Sequence, residues 1–328
     1  MKLCADIGGT KSLLGLADTT AYGRPRLGFT RRYLARDFAG FAPLLQQFLR
    51  DASEALGHPP AVGSACLGVA GPGGGRRIAM TNLPWEPDAD DISRLLGGVP
   101  VQLINDFAAA AYGIDALSEQ QLVALQPGRP VAGAPQVVIG AGSGLGVALR
   151  VWNGTRYQVV PGEGGHMAFA PLDEEQDRLL APLRAQMRAQ GRDRLVAEHV
   201  VSGPGLIHLY RALAAADASL DAALGSATPS AQDIERLARE GDAVAAMAAH
   251  HFLRSYGAIA GDHALACLAR GGVYVAGGIA LQWRDWMADG RFVQAFSAKG
   301  PYSALMRDIP IHLVTEPDLG LLGAAVAA

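Results

Sequence analysis

Met1-Lys2-Leu3-Cys4-Ala5-Asp6-Ile7-Gly8-Gly9-Thr10-Lys11-Ser12-Leu13-Leu14-Gly15-Leu16-Ala17-Asp18 opens the chain. An apolar run ends on the carboxylate of Asp6, two glycines turn the chain, and a second apolar run returns. The pattern predicts a β-hairpin whose tip is stripped of bulky side chains. Glycines let backbone N–H groups approach an anion closely, and successive N–H groups form an anion nest. Asp6 at the strand end supplies a hard oxygen ligand for a cation such as Mg²⁺. A nest beside a carboxylate suits a nucleoside triphosphate with its metal. An ordinary Gly-Gly hairpin carries the same letters, so this stretch alone leaves both readings open.

A second copy of the idea lies at Val137-Val138-Ile139-Gly140-Ala141-Gly142-Ser143-Gly144-Leu145-Gly146-Val147-Ala148-Leu149-Arg150-Val151, again strand, glycine-rich tip, strand. Two such hairpins far apart in sequence predict two similar half-domains, each holding a triphosphate from its own side. Competing phosphate motifs fail on named positions. A dinucleotide fingerprint starting at Gly140 needs glycine where Leu145 stands, and the segment continues as strand instead of opening a helix. A P-loop needs glycine immediately before Lys11-Ser12, where Thr10 stands.

Composition bounds the rest. The 328 residues suffice for one large or two medium domains, and half are hydrophobic with 18% charged, as in a globular protein. The formal net charge of −3 and the lack of a basic tract argue against nucleic-acid binding. Cys4, Cys66 and Cys267 are widely spaced and form no C-x-x-C, which argues against a zinc site or redox pair. Buried free thiols, with no signal-peptide pattern, predict a reducing cytoplasm. No apolar stretch reaches the roughly 20 residues that span a membrane.

The first third alternates strand-like segments (2–7, 13–17, 28–33, 65–70 and 101–104) with helix-like ones (38–56 and 91–96), which predicts an α/β layered domain. Gly71-Pro72-Gly73-Gly74-Gly75 is a strong breaker and reads as a loop. The stretch 174–270 reads as mostly helical, with 244–268 as one or two long helices and 213–230 as a looser connection. Strand signals return at 272–276, before Gly277-Gly278 and a helix-like start, and at 311–314, before a closing small-residue helix suited to packing back on the first domain.

Two clusters carry chemistry. Asn105-Asp106 sits at a strand end just before a helix, where ligands gather in open α/β sheets, although both residue types are also good helix caps. In Pro161-Gly162-Glu163-Gly164-Gly165-His166 a carboxylate and an imidazole stand three residues apart on a bendable loop. Carboxylates accept from vicinal hydroxyls and imidazole donates or accepts, which suits a polyol or sugar. A metal at Glu163 and His166 lacks a third ligand nearby, and His250-His251 point to different helix faces. Glu198, read by itself, is a surface carboxylate.

The chain resembles the bacterial glucokinases of the hexokinase-like, actin-fold superfamily over almost its whole length. The matching segments are Asp6-Ile7-Gly8-Gly9-Thr10, Ala79-Met80-Thr81-Asn82, Ile104-Asn105-Asp106-Phe107, Gly140-Ala141-Gly142-Ser143-Gly144-Leu145-Gly146, Pro161-Gly162-Glu163-Gly164-Gly165-His166, Ser202-Gly203-Pro204-Gly205-Leu206 and Ala276-Gly277-Gly278-Ile279. Each is weak alone; their order and spacing together are specific. The resemblance implies a two-domain actin-like (ribonuclease H-like) α/β fold with an interdomain cleft. Residues 1–116 with about 308–328 would form a small domain and 117–307 a large one with helical insertions. It implies ATP- and Mg²⁺-dependent phosphorylation of glucose to glucose 6-phosphate, the entry step of glycolysis, by a cytoplasmic homodimer.

By the same resemblance, Asn105, Asp106, Glu163, His166 and Glu198 bind the sugar hydroxyls, with Asp106 the catalytic base at the 6-hydroxyl. Gly8, Gly9 and Thr10, and Gly142, Ser143 and Gly144, form the two phosphate turns. Gly277-Gly278 is the adenosine turn, and Asp6 holds Mg²⁺ through water. The chain departs from the family's habit at Lys11, where asparagine is frequent and where an ammonium would meet phosphate as a point charge. Ser143 replaces a frequent threonine, and the 71–75 loop is unusually glycine-rich. The related repressor/ORF/kinase (ROK) sugar kinases carry a cysteine cluster after the sugar-binding histidine, and none follows His166. Two alternatives remain: a kinase for fructose, mannose or an N-acetylhexosamine, and a non-catalytic sugar-binding regulator, the latter disfavoured by the presence of Asp106 and both glycine turns.

Overall fold

The computed structural model describes residues 1–19, 24–71, 75–81, 83–215 and 229–328. Pro72, Gly73 and Gly74 of the glycine-rich loop, Asn82 of the Ala79–Asn82 motif, and most of the 213–230 connection lie outside the described residues. The chain divides into two units, Met1–Gln121 with Gln158–Pro161 and Glu316–Ala328, and Leu122–Tyr157 with Gly162–Thr315.

The first unit is built on a five-stranded sheet. β1 (Lys2–Ile7) and β2 (Lys11–Thr19) form the opening hairpin, with Gly8 N–H donating to Lys11 O at 3.1 Å across the tip. β3 (Pro25–Leu34) pairs with β2 on the outer edge. On the other side β4 (Ser64–Val69) and β5 (Val101–Asn105) run parallel to β1, in the order β3-β2-β1-β4-β5. The register aligns Ile7 with Val69 and Val69 with Asn105. The C-terminal ends of three parallel strands therefore share one sheet edge, the edge where α/β proteins place their ligands.

Helices cover both faces. α1 (Phe41–Leu56) buries Phe41, Leu44, Leu45, Phe48 and Ala52, a stripe at helical spacing. It starts three residues later than the pattern at 38 predicts, because Phe38 is extended and Gly40 precedes the first turn. α2 (Ala89–Leu95) is capped by Asp88, whose carboxylate accepts from the N–H groups of Asp90 and Asp91. α3 (Asp106–Gly113) leaves β5 without a loop. The closing helix, Leu319–Ala327, packs on α3 and on β1, and its Leu321, Ala324 and Ala325 bury the thiols of Cys4 and Cys66. Burial pushes both thiols up to about 12, so they are inert.

A six-stranded sheet has the order β6-β11-β10-β7-β8-β9, and its first five strands lie in the second unit. Its strands are β6 (Leu122–Gln126), β7 (Gln136–Ala141), β8 (Leu145–Trp152), β9 (Tyr157–Gly162), β10 (Gly272–Ala276) and β11 (Ile311–Val314). β7 and β8 are the second glycine-tipped hairpin. β10 lies parallel between β7 and β11, with Ala276 beside Gly140. The helices are α4 (Glu174–Ala189), α5 (Gly203–Ala214), α6 (Ala231–Glu240), α7 (Ala243–Cys267) and α8 (Gly278–Gln282), followed by shorter turns. The 244–268 pattern is a single helix, ended by Leu268 in the left-handed region. The division also differs from the expected boundary near 308, because β11 pairs with β10 and β6 and so belongs to the second unit.

Candidate active site

In the first unit the chemistry gathers at the shared strand edge. Asn105 resolves the competition between capping and ligation. Its Oδ1 accepts from the N–H groups of Phe107 (2.9 Å) and Ala108 (3.1 Å), and its Nδ2 donates to Gly71 O at 2.9 Å. Capping falls to Asn105, so Asp106 takes the first helical position. There Phe107 N–H also donates to its Oδ1 at 2.8 Å, and the positive end of the helix dipole favours an ionised carboxylate. A cavity of about 400 Å³ beside β5 is lined in part by Asn105, Ala108 and Tyr112.

Asp6 is the penultimate residue of β1, in the same region. Burial, with Asp106 and Asp318 adding negative charge, pushes its carboxyl up to about 7 against the pull of Arg32, which itself pairs with Asp318 at 3.0 Å. The sign follows from the raised folded-state value. Asp6 contributes its full stability below the ordinary carboxylate range near pH 4, and that contribution is lost as pH rises through about 7. Asp6→Asn is therefore expected to raise Tm at pH 8 and to change it little at pH 4. Thermal denaturation of the free protein at both pH values checks this, and equal shifts at the two would contradict it. At the hairpin tip, the N–H groups of Gly9 and Thr10 donate to no described residue, and the exposed Lys11 ammonium has no partner among the described residues.

In the second unit the turns that carry Glu163, His166 and Glu198 adjoin. Glu163 precedes a single 3₁₀ turn, Gly164–His166, seated on β8, with His166 N–H donating to Glu163 O at 3.0 Å. Both side chains are exposed. A second 3₁₀ turn, Ala197–His199, carries Glu198, and Ala197 N–H donates to Met167 O at 2.9 Å, tying the two turns together. Glu198 is not the surface carboxylate its sequence context suggests. It is half-buried, accepts from Leu145 N–H at 2.9 Å, and lies so close to Gly144 that a β-carbon there would sit 2.5 Å from its Oε2. The contact joins the sugar-type cluster to the glycine turn.

That turn is held from three sides. Gly142 N–H donates to Gly144 O, Gly203 N–H donates to Gly142 O, both at 2.8 Å, and Ser143 is exposed at the tip. The N–H groups of Ser143 and Gly144 donate to no described residue, as expected of an anion nest. Beside it stands Gly277-Gly278 between β10 and α8. Gly277 has φ +90°, and a β-carbon there would lie 2.6 Å from Ala141 O, so only glycine fits.

Tyr256 holds the two turns together and has no signature in the sequence. It comes from the middle of α7, is fully buried, and its hydroxyl accepts from Ala141 N–H at 3.1 Å. The same hydroxyl lies 3.4 Å from Ala276 O, so it touches the residues that immediately precede Gly142 and Gly277. Tyr256→Phe leaves the Ala141 N–H buried without an acceptor and is expected to destabilise by about 1–3 kcal/mol. The denaturant midpoint checks this; an unchanged midpoint would show that the hydroxyl bears no load. Among the described residues no cluster of histidines, cysteines and carboxylates could hold a metal by itself.

Two glycine turns with free N–H groups, a carboxylate at a helix N-terminus and a carboxylate–imidazole turn define a nucleotide-dependent phosphotransferase of the actin-like ATPase fold. The profile of the glucokinase family matches residues 3–328. The glucokinase of Trichormus variabilis is 36% identical over 99% of this chain and 98% of its own length. A crystal structure of a glucokinase from an Antarctic psychrotroph superposes with a TM-score of 0.84 at 32% identity, covering 99% of this chain and 98% of that one. A ROK-family glucokinase of Streptomyces griseus, solved with glucose and AMPPNP, shares the fold with a TM-score of 0.65 at 24% identity, covering 100% of this chain and 98% of that one. The chain belongs to the glucokinase family.

Proposed function

We propose a division of labour by which these residues carry out the activity of the family, ATP-dependent phosphorylation of glucose at its 6-hydroxyl. Asp106 accepts the proton of that hydroxyl as its oxygen bonds to the γ-phosphorus and the bond to the β-phosphate oxygen breaks, giving glucose 6-phosphate and ADP. A hydroxyl is a weak nucleophile at neutral pH, and a positioned carboxylate supplies the missing base. Asn105, Glu163, His166 and Glu198 bind the other hydroxyls and hold the sugar in line. Little covalent chemistry remains for the protein in phosphoryl transfer, so alignment and charge stabilisation dominate. The turns Gly8–Thr10 and Gly142–Gly144 serve the phosphates, Gly277-Gly278 the adenosine, and Lys11 the charge on the transferred group.

The residues fit the divalent cation that the reaction employs. Asp6, Asp106 and Asp318 place carboxylates close enough to raise the Asp6 carboxyl, a repulsion that a cation relieves. Asp6 would hold Mg²⁺ through water, and the ion would neutralise phosphate charge. A cytoplasmic homodimer serving glycolysis completes the reading; no helix among the described residues is long and apolar enough to cross a membrane.

The observation that carries the assignment is Asp106 at the first position of α3, freed from capping by Asn105. The test is a sugar panel: ADP release with glucose, fructose, mannose and N-acetylglucosamine in turn. Glucose is expected to give the highest kcat/KM. A higher value for another hexose would move the assignment to that sugar, and release independent of sugar would overturn it.

A further inference from the structure

A cavity of about 310 Å³ in the second unit is lined by Arg184, Arg188, Arg192 and Arg194, with Asp193 the one carboxylate on its wall. The protein as a whole carries a formal charge of −3, so this concentration of guanidinium is local. It arises from charge ordering along α4 and its exit. The acids Glu174, Glu175 and Asp177 occupy the first turn, where they suit the helix dipole, and the arginines gather at the end. Two of those acids are engaged elsewhere: Glu174 lies by Arg178 and Glu175 by Arg254. Arg184, Arg188 and Arg194 form no ion pair among the described residues.

Arg192 adds an independent observation. Its Nη1 lies 2.5 Å from Nε2 of His199, while Val196 N–H points at Nδ1 of the same ring at 3.2 Å. Burial and the Arg192 guanidinium hold His199 down to about 4, so the ring is neutral and carries one proton. One of those two contacts is therefore donor against donor. An oxyanion that draws Arg192 into the cavity removes the conflict. The floor is apolar, made by Phe169, Met187 and Leu195, all buried.

We propose that this cavity binds a small organic phosphate, its phosphate group forked by Arg188 and Arg192 and its carbon body seated on Phe169, Met187 and Leu195. Guanidinium planes pair with phosphate oxygens through parallel charge-assisted hydrogen bonds, for which lysine is no substitute. A bare phosphate would use the arginines and leave the floor empty. The site is separate from the turn that carries Glu163 and His166, although the Ala168–Val196 bridge on its rim lies two residues from His166 and from Glu198.

The proposal does not depend on the kinase reading, and calorimetric titration of the intact protein tests it directly. Phenyl phosphate and orthophosphate serve as probes. Phenyl phosphate is expected to bind one site per chain and at least tenfold more tightly than orthophosphate. The double substitution R188A/R192A is expected to weaken it at least tenfold with Tm not lowered, since both side chains are exposed and the Arg192–His199 conflict is removed. R178A removes one positive charge from the same helix outside the cavity and is expected to leave binding intact. Binding that survives R188A/R192A, an equal loss in R178A, orthophosphate binding as tightly as the ester, or no binding at all would each overturn the proposal.

Discussion

Replacing Asp106 by asparagine is expected to lower kcat by about 10²- to 10⁴-fold, the range a general base supplies. The change keeps the shape of the side chain and an oxygen for the Phe107 N–H, so α3 retains its first turn. It removes the only feature chemistry requires, an oxygen able to take a proton. Glucose KM should move by a few-fold at most, because the roles proposed for Asn105, Glu163, His166 and Glu198 at the sugar are untouched. Circular dichroism and denaturant midpoints should match the parent, which separates a lost base from a lost fold. The reading fails if kcat survives, or if nucleotide binding disappears with it.

The largest expected effect on the fold comes from a single methyl group. Gly323 of the closing helix meets α3 where a β-carbon would lie 1.6 Å from Ala109 O, and a β-carbon on Gly113 would lie 2.4 Å from Leu319 O. The two helices touch backbone to backbone, so no side chain can yield. Gly323→Ala must push them apart, at a cost at or above the upper end of the roughly 1–3 kcal/mol typical of overpacking. The displacement passes to Asp106, which opens the same helix, so kcat should fall along with the denaturant midpoint. An alanine variant with unchanged midpoint would show that the helices do not pack as described.

Both effects illustrate which parts of the protein are legible in its sequence. The two glycine-tipped hairpins and the carboxylate at the end of β5 read directly, because their signals are local: apolar alternation, turn residues, a cap. That Glu163 and His166 share one short turn reads for the same reason. What was not legible depends on neighbours distant in the chain. Glu198 looks like a surface carboxylate until Leu145 and Gly144 come beside it. Asn105 and Asp106 are equivalent caps in the sequence, and only the hydrogen bonds of the first turn assign capping to Asn105 and put Asp106 at the first helical position. Tyr256 is one aromatic residue in a helix rich in alanine; its role appears when β7 and β10 lie side by side. The boundary near 308 misplaced β11 because strand order is a non-local property, set by its pairing with β10 and β6.

Lys11 of the opening hairpin is an exposed ammonium that follows two N–H groups, of Gly9 and Thr10, donating to no described residue. The assay that tests the whole account most directly is ADP formation coupled to a dehydrogenase, with Mg²⁺ and ATP, in the presence and absence of glucose, for the parent protein and Asp106→Asn. The account predicts glucose-dependent ADP formation by the parent and its near-complete loss in the variant. Absence of glucose-dependent ADP formation by the parent protein would contradict it.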